Sequence, residues 1–346
     1  MKRFFFFLFA VLHYGLTAQH FFNQYKEDAN TYIRHYSRPL FEANLYNFSD
    51  GWIQRAKPLK TLSFALQITA NYSFIPENKQ KFTFNPSEYT YVSLADSLGN
   101  PVGPQTLPTV FGKDTDFYLH IKAPSNSGGT YDYVDLKAPK GFKRDIEEAV
   151  KYFKVGMPGV NIQLNAGLPF QSEIMIRYFP QTNYAGFEAN LLGIGLKHEI
   201  GHYFLEDESN LHLAAFAVYA GGKIQAAHED LDDLTAIFKI NSYQVGGAAS
   251  LDFKFLSLYG SAAYIRGTSA FQLTGTYTYT YDILDTNDNV IGQGSETISD
   301  PLDLHFAVNT FRISTGIYLN LKFLRIFAQY NFQKYHGFQA GISANI

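Results

Sequence analysis

Residues 61–74 read Thr-Leu-Ser-Phe-Ala-Leu-Gln-Ile-Thr-Ala-Asn-Tyr-Ser-Phe. Leu62, Phe64, Leu66, Ile68, Ala70, Tyr72 and Phe74 fall on one parity, while Thr61, Ser63, Gln67, Thr69, Asn71 and Ser73 fall on the other. A period of two sustained over this length describes a strand with one apolar and one polar face. It exceeds the roughly five or six residues of a common globular strand. A strand that crosses a bilayer takes about 9–11 residues, with apolar side chains toward lipid and polar ones toward a lumen. The stretch predicts a membrane-spanning strand.

The same alternation recurs toward the end of the chain. Val160, Ile162, Leu164, Ala166 and Leu168 alternate with Asn161, Gln163, Asn165 and Gly167. Phe311, Ile313, Ile317, Leu319 and Leu321 alternate with Arg312, Ser314, Tyr318 and Asn320, and Phe338 to Ile346 closes on the same rule. A final amphipathic strand paired with the first strand of a barrel leaves no open edge. Candidate strands are 61–75, 160–168, 172–179, 187–203, 211–221, 232–244, 248–264, 268–284, 289–298, 304–323, 325–335 and 337–346, with a turn at Asp285–Asn289. Residues 76–158 are rich in Pro, Gly and Asn and read as long connections, holding strand-like pieces at Asp116–Lys122 and Tyr131–Lys137 and a short helix at Gly141–Phe153. The expected fold is all-β: a transmembrane antiparallel β-barrel over residues 61–346, with about 12–14 strands in keeping with the even counts of single-chain barrels.

Lys2 and Arg3 precede the apolar run Phe4–Leu12, and Ala18 follows, which predicts a signal peptide over 1–18. Residues 19–60 differ from the rest. Phe22, Tyr25, Ala29, Tyr32, Ile33 and Tyr36 recur at helical spacing, Pro39 is expected to end that helix, and Leu40–Lys57 offers a second short one. Such a segment would plug the lumen as a hatch or lie at the periplasmic mouth. Export without a spanning helix places the expected barrel in the outer membrane, with its lipid as first partner. The chain has 25 Tyr and 32 Phe against one Trp, a surplus that aromatic girdles at the two membrane interfaces would use. It has no Cys, which excludes a disulfide, a thiol nucleophile and a lipid-anchoring cysteine. Formal net charge is −3 and no basic block occurs, so nucleic acid is not an expected partner.

His198-Glu199-Ile200-Gly201-His202 fits the zinc-protease pattern H-E-x-x-H. On a helix the two histidines would share a face; in a strand they would stand about 13 Å apart, with Glu199 on the opposite side. Alternation through Ile194, Leu196, His198 and Ile200 favours the strand, and no third ligand follows at a usual spacing. A secreted zinc hydrolase built on His198, Glu199 and His202 is therefore kept only as a remote alternative. The acidic run His228–Asp233, the glycines after Ser127 and the Asp285–Asp288 run each read as turns. No catalytic residue, metal site or cofactor is expected.

Four segments resemble a known group: Asp28-Ala-Asn-Thr-Tyr to Pro39-Leu, Phe48-Ser-Asp-Gly-Trp52, Pro108-Thr-Val-Phe-Gly112 and Gly193-Ile-Gly-Leu-Lys-His198. They are similar to an uncharacterised family of predicted outer-membrane barrels from Bacteroidota, itself distantly similar to the long-chain fatty acid transporter barrels. That resemblance implies a 14-strand barrel with an N-terminal hatch. Two functions follow as expectations: a barrel that passes or binds a small apolar solute, or a plugged barrel acting as a structural or accessory subunit of a secretion or surface-assembly complex. Strand parity assigns Asn161, Gln163, Asn165, Glu173, Arg177, Lys197 and Glu199 to the lumen.

Overall fold

The computed structural model describes residues 21–124, 131–149, 154–184, 187–206, 209–227, 234–284, 290–321 and 323–345. The leader expected at 1–18, the glycines after Ser127, the run His228–Asp233 and the turn Asp285–Asn289 lie outside the described residues.

A helix, Phe21–Ser49, precedes the first strand, β1 (Phe64–Phe74). Six short strands come next: β2 (Lys81–Phe84), β3 (Val92–Ala95), β4 (Pro101–Val102), β5 (Gln105–Pro108), β6 (Tyr118–Pro124) and β7 (Tyr131–Lys137), then a helix Lys143–Ala149. The long strands are β8 (Gly156–Leu168), β9 (Ser172–Tyr184), β10 (Phe187–Glu199), β11 (Leu211–Ala227), β12 (Thr235–Asp252) and β13 (Leu256–Thr274). A hairpin of β14 (Thr276–Leu284) and β15 (Val290–Ser299) interrupts them before β16 (Leu302–Leu321), β17 (Leu324–Phe332) and β18 (Gly337–Asn345).

Among the described residues, β1, β8 to β13 and β16 to β18 form a closed antiparallel barrel of ten strands, sealed where β1 pairs with β18. The alternation in β1 is inverted relative to a soluble barrel. Gln67, Thr69, Asn71 and Ser73 are buried inside, while Phe64, Leu66 and Ile68 are exposed on the outer wall. The exposed apolar side chains form a belt around the barrel, including Ile162, Leu164, Ile194, Leu196, Val245, Ile313, Ile326 and Ile342. One rim of the belt carries Tyr178, Tyr219, Tyr243, Tyr264, Phe311, Phe332 and Phe338, and the other Phe170, Tyr203, Phe204, Phe253, Phe255 and Phe323. An apolar band between two aromatic girdles is the outer surface of a barrel that lies in a bilayer.

The two ends of the barrel differ. At one, β8–β9, β12–β13 and β16–β17 are joined by turns of two or three residues. At the other, the chain leaves for the β2–β7 module and for the β14–β15 hairpin. The β10–β11 connection at the first end is longer, residues 200–210. In outer-membrane barrels short turns face the periplasm and long connections the exterior, and on that rule the second end is here named the outer one.

Several expectations need correction. The barrel has ten strands, not 12–14 and not the 14 of the fatty acid transporter barrels. The expected strands 232–244 and 248–264 are not separated at 245–247: β12 runs through Gly246-Gly247 and turns at Phe253–Phe255. A Cβ on Gly246 would lie 2.3 Å from the Ala262 carbonyl, so the glycine serves a close approach of β13. The segment expected as 268–284 is divided between β13 and β14, and β14 and β15 pair only with each other. Residues 76–158, expected as long connections holding strand-like pieces, contain six short strands in two small sheets.

Pro39 does not end the N-terminal helix, which continues to Ser49 as one element. Proline removes the bond to the fourth preceding carbonyl. That carbonyl is His35's; at the neighbouring Tyr36 carbonyl the Val110 N–H reaches in from the outer module at 2.9 Å, and the barrel encloses the last turns of the helix, where Ala43, Leu45 and Tyr46 are buried.

Candidate functional site: the plug and the barrel wall

The single helix stops at Ser49, inside the segment Leu40–Lys57 that was expected to form a second one, and a glycine follows its end. Gly51 has φ +77°, the left-handed conformation of a helix C-terminal stop, and a Cβ there would press on Thr69 and Arg177. A helix terminus leaves its last carbonyls without intrahelical partners. In this chain the barrel wall supplies the donors. Asn71 and Asn161 donate to the Asn47 carbonyl at 3.1 and 3.2 Å. Arg177 donates to Phe48 and Asp50 carbonyls at 3.3 and 2.7 Å, and Gln244 to Ser49 at 2.7 Å. Gln67 donates to Gly51 at 2.9 Å and Gln163 to Trp52 at 3.2 Å. These donors come from β1, β8, β9 and β12, so the end of the helix is held from opposite sides of the lumen.

The charges sit in the same place. The Asp50 carboxylate is paired with the Arg312 guanidinium of β16, and both are buried. Arg312 also donates to Ser49 O at 3.2 Å and Gln244 Oε1 at 2.7 Å. The Arg177 guanidinium lies 3.9 Å from the centre of the Trp52 ring, a cation–π contact. Where the wall is apolar the plug matches it: Trp52 packs with Phe216 and Val218, and Leu45 and Tyr46 with Ile240 and Val308.

Past Trp52 the chain continues to the turn end. Arg55 Nε donates to Asp252 at 2.8 Å, the Lys197 ammonium to the Arg55 carbonyl at 3.2 Å, and the Leu59 N–H to Glu173 at 2.8 Å. The outer half of the helix is fixed to the module instead. Asp28 accepts the N–H groups of Thr90, Tyr91 and Val92 at 2.7–3.0 Å. Tyr36 donates to Lys140 O at 2.8 Å, and burial pushes its phenol up.

The parity residues have these places. Asn161, Gln163 and Arg177 touch the plug directly. Asn165 bonds Gln163 at 2.7 Å and Gln67 at 3.5 Å. Glu173 and Lys197 form a buried ion pair at 3.1 Å under the departing chain. Glu199 pairs with His212 at 2.5 Å. Parity alone did not single out Asp50, Arg312, Gln67, Asn71 and Gln244, although the last four stand on the polar side of their strands. Asp50 is on no strand, and its signal was the helix stop at Gly51.

The H-E-x-x-H segment departs from the expected straight strand. β10 ends at Glu199 and Gly201–Tyr203 forms a 3₁₀ turn, so the His198 and His202 rings stand 5.7 Å apart, centre to centre, rather than about 13 Å. His198 is on the outer side with Ser172 Oγ at 2.9 Å and Tyr203 OH at 3.0 Å, while Glu199 points into the lumen. Among the described residues, no three His, Asp or Glu side chains are grouped to hold a metal ion.

A family model spans residues 1–346. The chain belongs to a family of unknown function, DUF6588. No curated protein matches it. Solved structures similar to it include Ail, the attachment invasion locus protein of Yersinia pestis, at 10% identity and TM-score 0.23, covering 83% of this chain and 100% of that one. The beta domain of the Bordetella autotransporter BrkA is similar at 10% identity and TM-score 0.28, covering 82% and 99%. The outer membrane protease OmpT from Escherichia coli is similar at 9% identity and TM-score 0.28, covering 82% and 97%. The barrel of this family member rests on its own strand pairing.

Proposed function

We propose that this chain is an outer-membrane barrel closed by its own N-terminal helix, serving as a structural or accessory subunit that presents the β2–β7 module and the β14–β15 hairpin outside the cell. One observation carries this reading: Ser49, Asp50 and Trp52 are buried in the lumen, and strands on opposite sides of it hold their carbonyls and charges. A channel for steady diffusion needs the space that this segment fills. Passage of a small apolar solute, as the resemblance to fatty acid transporter barrels implies, would require the plug to leave a network of many hydrogen bonds.

Planar-bilayer recording of the purified full chain tests this. The expected outcome is no steady conductance, with discrete openings only in variants that weaken the plug. Steady conductance from the unaltered chain would favour the channel. For the accessory role, Leu98, 84% exposed in the outer module, is a site for a cysteine-linked photo-cross-linker. One discrete adduct on whole cells is expected, and its absence counts against a stable partner.

A further inference from the structure

The outer wall over β9 to β13 holds an apolar groove of about 710 Å³ at the outer aromatic girdle, lined by Ile194, Leu196, Ala217, Tyr219, Val245 and Tyr264, with Arg266 at its edge. A second groove of about 300 Å³ lies farther out on the same wall, with Lys239, Asn241, Thr268 and His305 around it. Register links the two: Arg266 is opposite Tyr243, Thr268 opposite Asn241, and Lys239 opposite Ala270.

Like charges face each other on this wall. Lys239 is directly opposite Lys223 on β11, and like charges facing each other across a strand pair repel. Acidic neighbours are at the edges only. Glu188 is near Lys223 and bonded to Gln181 and Gln225, and Asp303 is paired with His305 at 3.0 Å. Among the described residues, Arg266 and Lys239 have no ion-pair partner, and both are exposed. An arginine beside an aromatic girdle keeps its head at the polar boundary, within reach of lipid headgroups.

We propose that this wall is a binding site for one phosphorylated membrane lipid of the outer leaflet. Its acyl chains would lie in the apolar groove between Ile194 and Tyr264. Its phosphate would sit between Arg266 and Lys239, relieving the repulsion with Lys223. A lipid is the occupant because the apolar groove faces the bilayer, where its neighbours are acyl chains. The site stands on the outer wall and does not depend on whether the lumen is closed.

Native mass spectrometry of the full chain in micelles doped with phosphatidic acid tests this, with phosphatidylcholine of the same chains and inorganic phosphate as the other arms. Expected is one retained phosphatidic acid per chain, at least tenfold over phosphatidylcholine, and no adduct from inorganic phosphate. The double variant Lys239→Gln, Arg266→Gln is expected to lose that preference, and the pair Lys239→Arg, Arg266→Lys to keep it. Lys254→Gln, at the opposite rim, is expected to leave it unchanged. The unboiled gel mobility of each variant reports whether it has folded. Equal retention of both lipids, an inorganic phosphate adduct of the same strength, or an undiminished preference in the folded neutral variant would each overturn the site.

Discussion

Asp50 of the plug and Arg312 of β16 form an ion pair buried in the centre of the barrel. Neither has access to bulk water, so removing one partner leaves a charge without its counter-ion. Arg312→Met is expected to cost about 3–5 kcal/mol, as for a broken buried pair, and to lower the temperature at which the unboiled band converts to the unfolded one. It should also raise the frequency of openings in bilayer recordings, because Ser49 loses one of its two wall donors. The double change Asp50→Asn, Arg312→Met should recover part of the stability. An Arg312→Met protein as stable and as closed as the parent would refute the role given to this pair.

Trp52 is the chain's one tryptophan, and it reports on the plug without labelling. Its ring lies against the backbone of β10, where a Cβ on Gly193 would come within 2.8 Å of it. Gly193→Val should therefore push the ring out of place, at a cost of about 1–3 kcal/mol for overpacking. The expected readout is a red-shifted emission and stronger quenching by acrylamide. Gly247→Ala is the control, since a Cβ there meets only the Ala214 carbonyl at an ordinary 3.7 Å. Identical spectra from the parent and Gly193→Val would place Trp52 elsewhere.

The zinc motif makes a third test. Glu199 holds His212 at 2.5 Å, and His212 approaches Asp252 at 3.6 Å beside Arg55, so the carboxylate belongs to a chain of contacts that ties the departing plug to the wall. Glu199→Gln should lower stability by about 1.5–3 kcal/mol, the range for a hydrogen bond to a charged group. Metal analysis after incubation with zinc should give well below one zinc per chain, in the parent and in His202→Ala alike. One zinc per chain, lost in His202→Ala, would revive the hydrolase.

Strand parity in residues 61–74 was enough to read the inverted barrel, because a side chain's face is fixed by period two and the membrane demands apolar residues outside. Arg177 and Lys197 stand on the same polar side of β9 and β10, and both hydrogen-bond the plug segment. Strand count was not legible. Glycine pairs such as Gly246-Gly247 carry the same letters whether they turn the chain or admit a neighbour, and only the facing Ala262 carbonyl distinguishes the two. Pro39 misled for a related reason. The rule that proline stops a helix holds for an isolated helix, and this one is held by Val110 and the enclosing wall. Asp50 was hidden because its partner Arg312 is 262 positions away, and no local pattern pairs them.

The plug segment threads the barrel from end to end, which fixes a topology that can be measured. Lys26 reaches the Ser299 carbonyl at the outer end at 3.2 Å, whereas the Leu62 N–H meets Gly167 O at 3.0 Å at the turn end. The chain between them passes through the lumen before β1 begins. In an outer membrane with short turns facing the periplasm, Glu27 should therefore be at the cell surface and Lys57 beneath the membrane. Both are exposed, and the chain has no cysteine of its own to confuse labelling. Glu27→Cys on intact cells should react with a membrane-impermeant maleimide, and Lys57→Cys only after the outer membrane is permeabilised. Labelling of Lys57→Cys on intact cells, with Glu27→Cys protected, would show the barrel inserted the other way up. Protection of both until permeabilisation would mean that the helix does not reach the outer end, and the plug would then be a periplasmic domain instead.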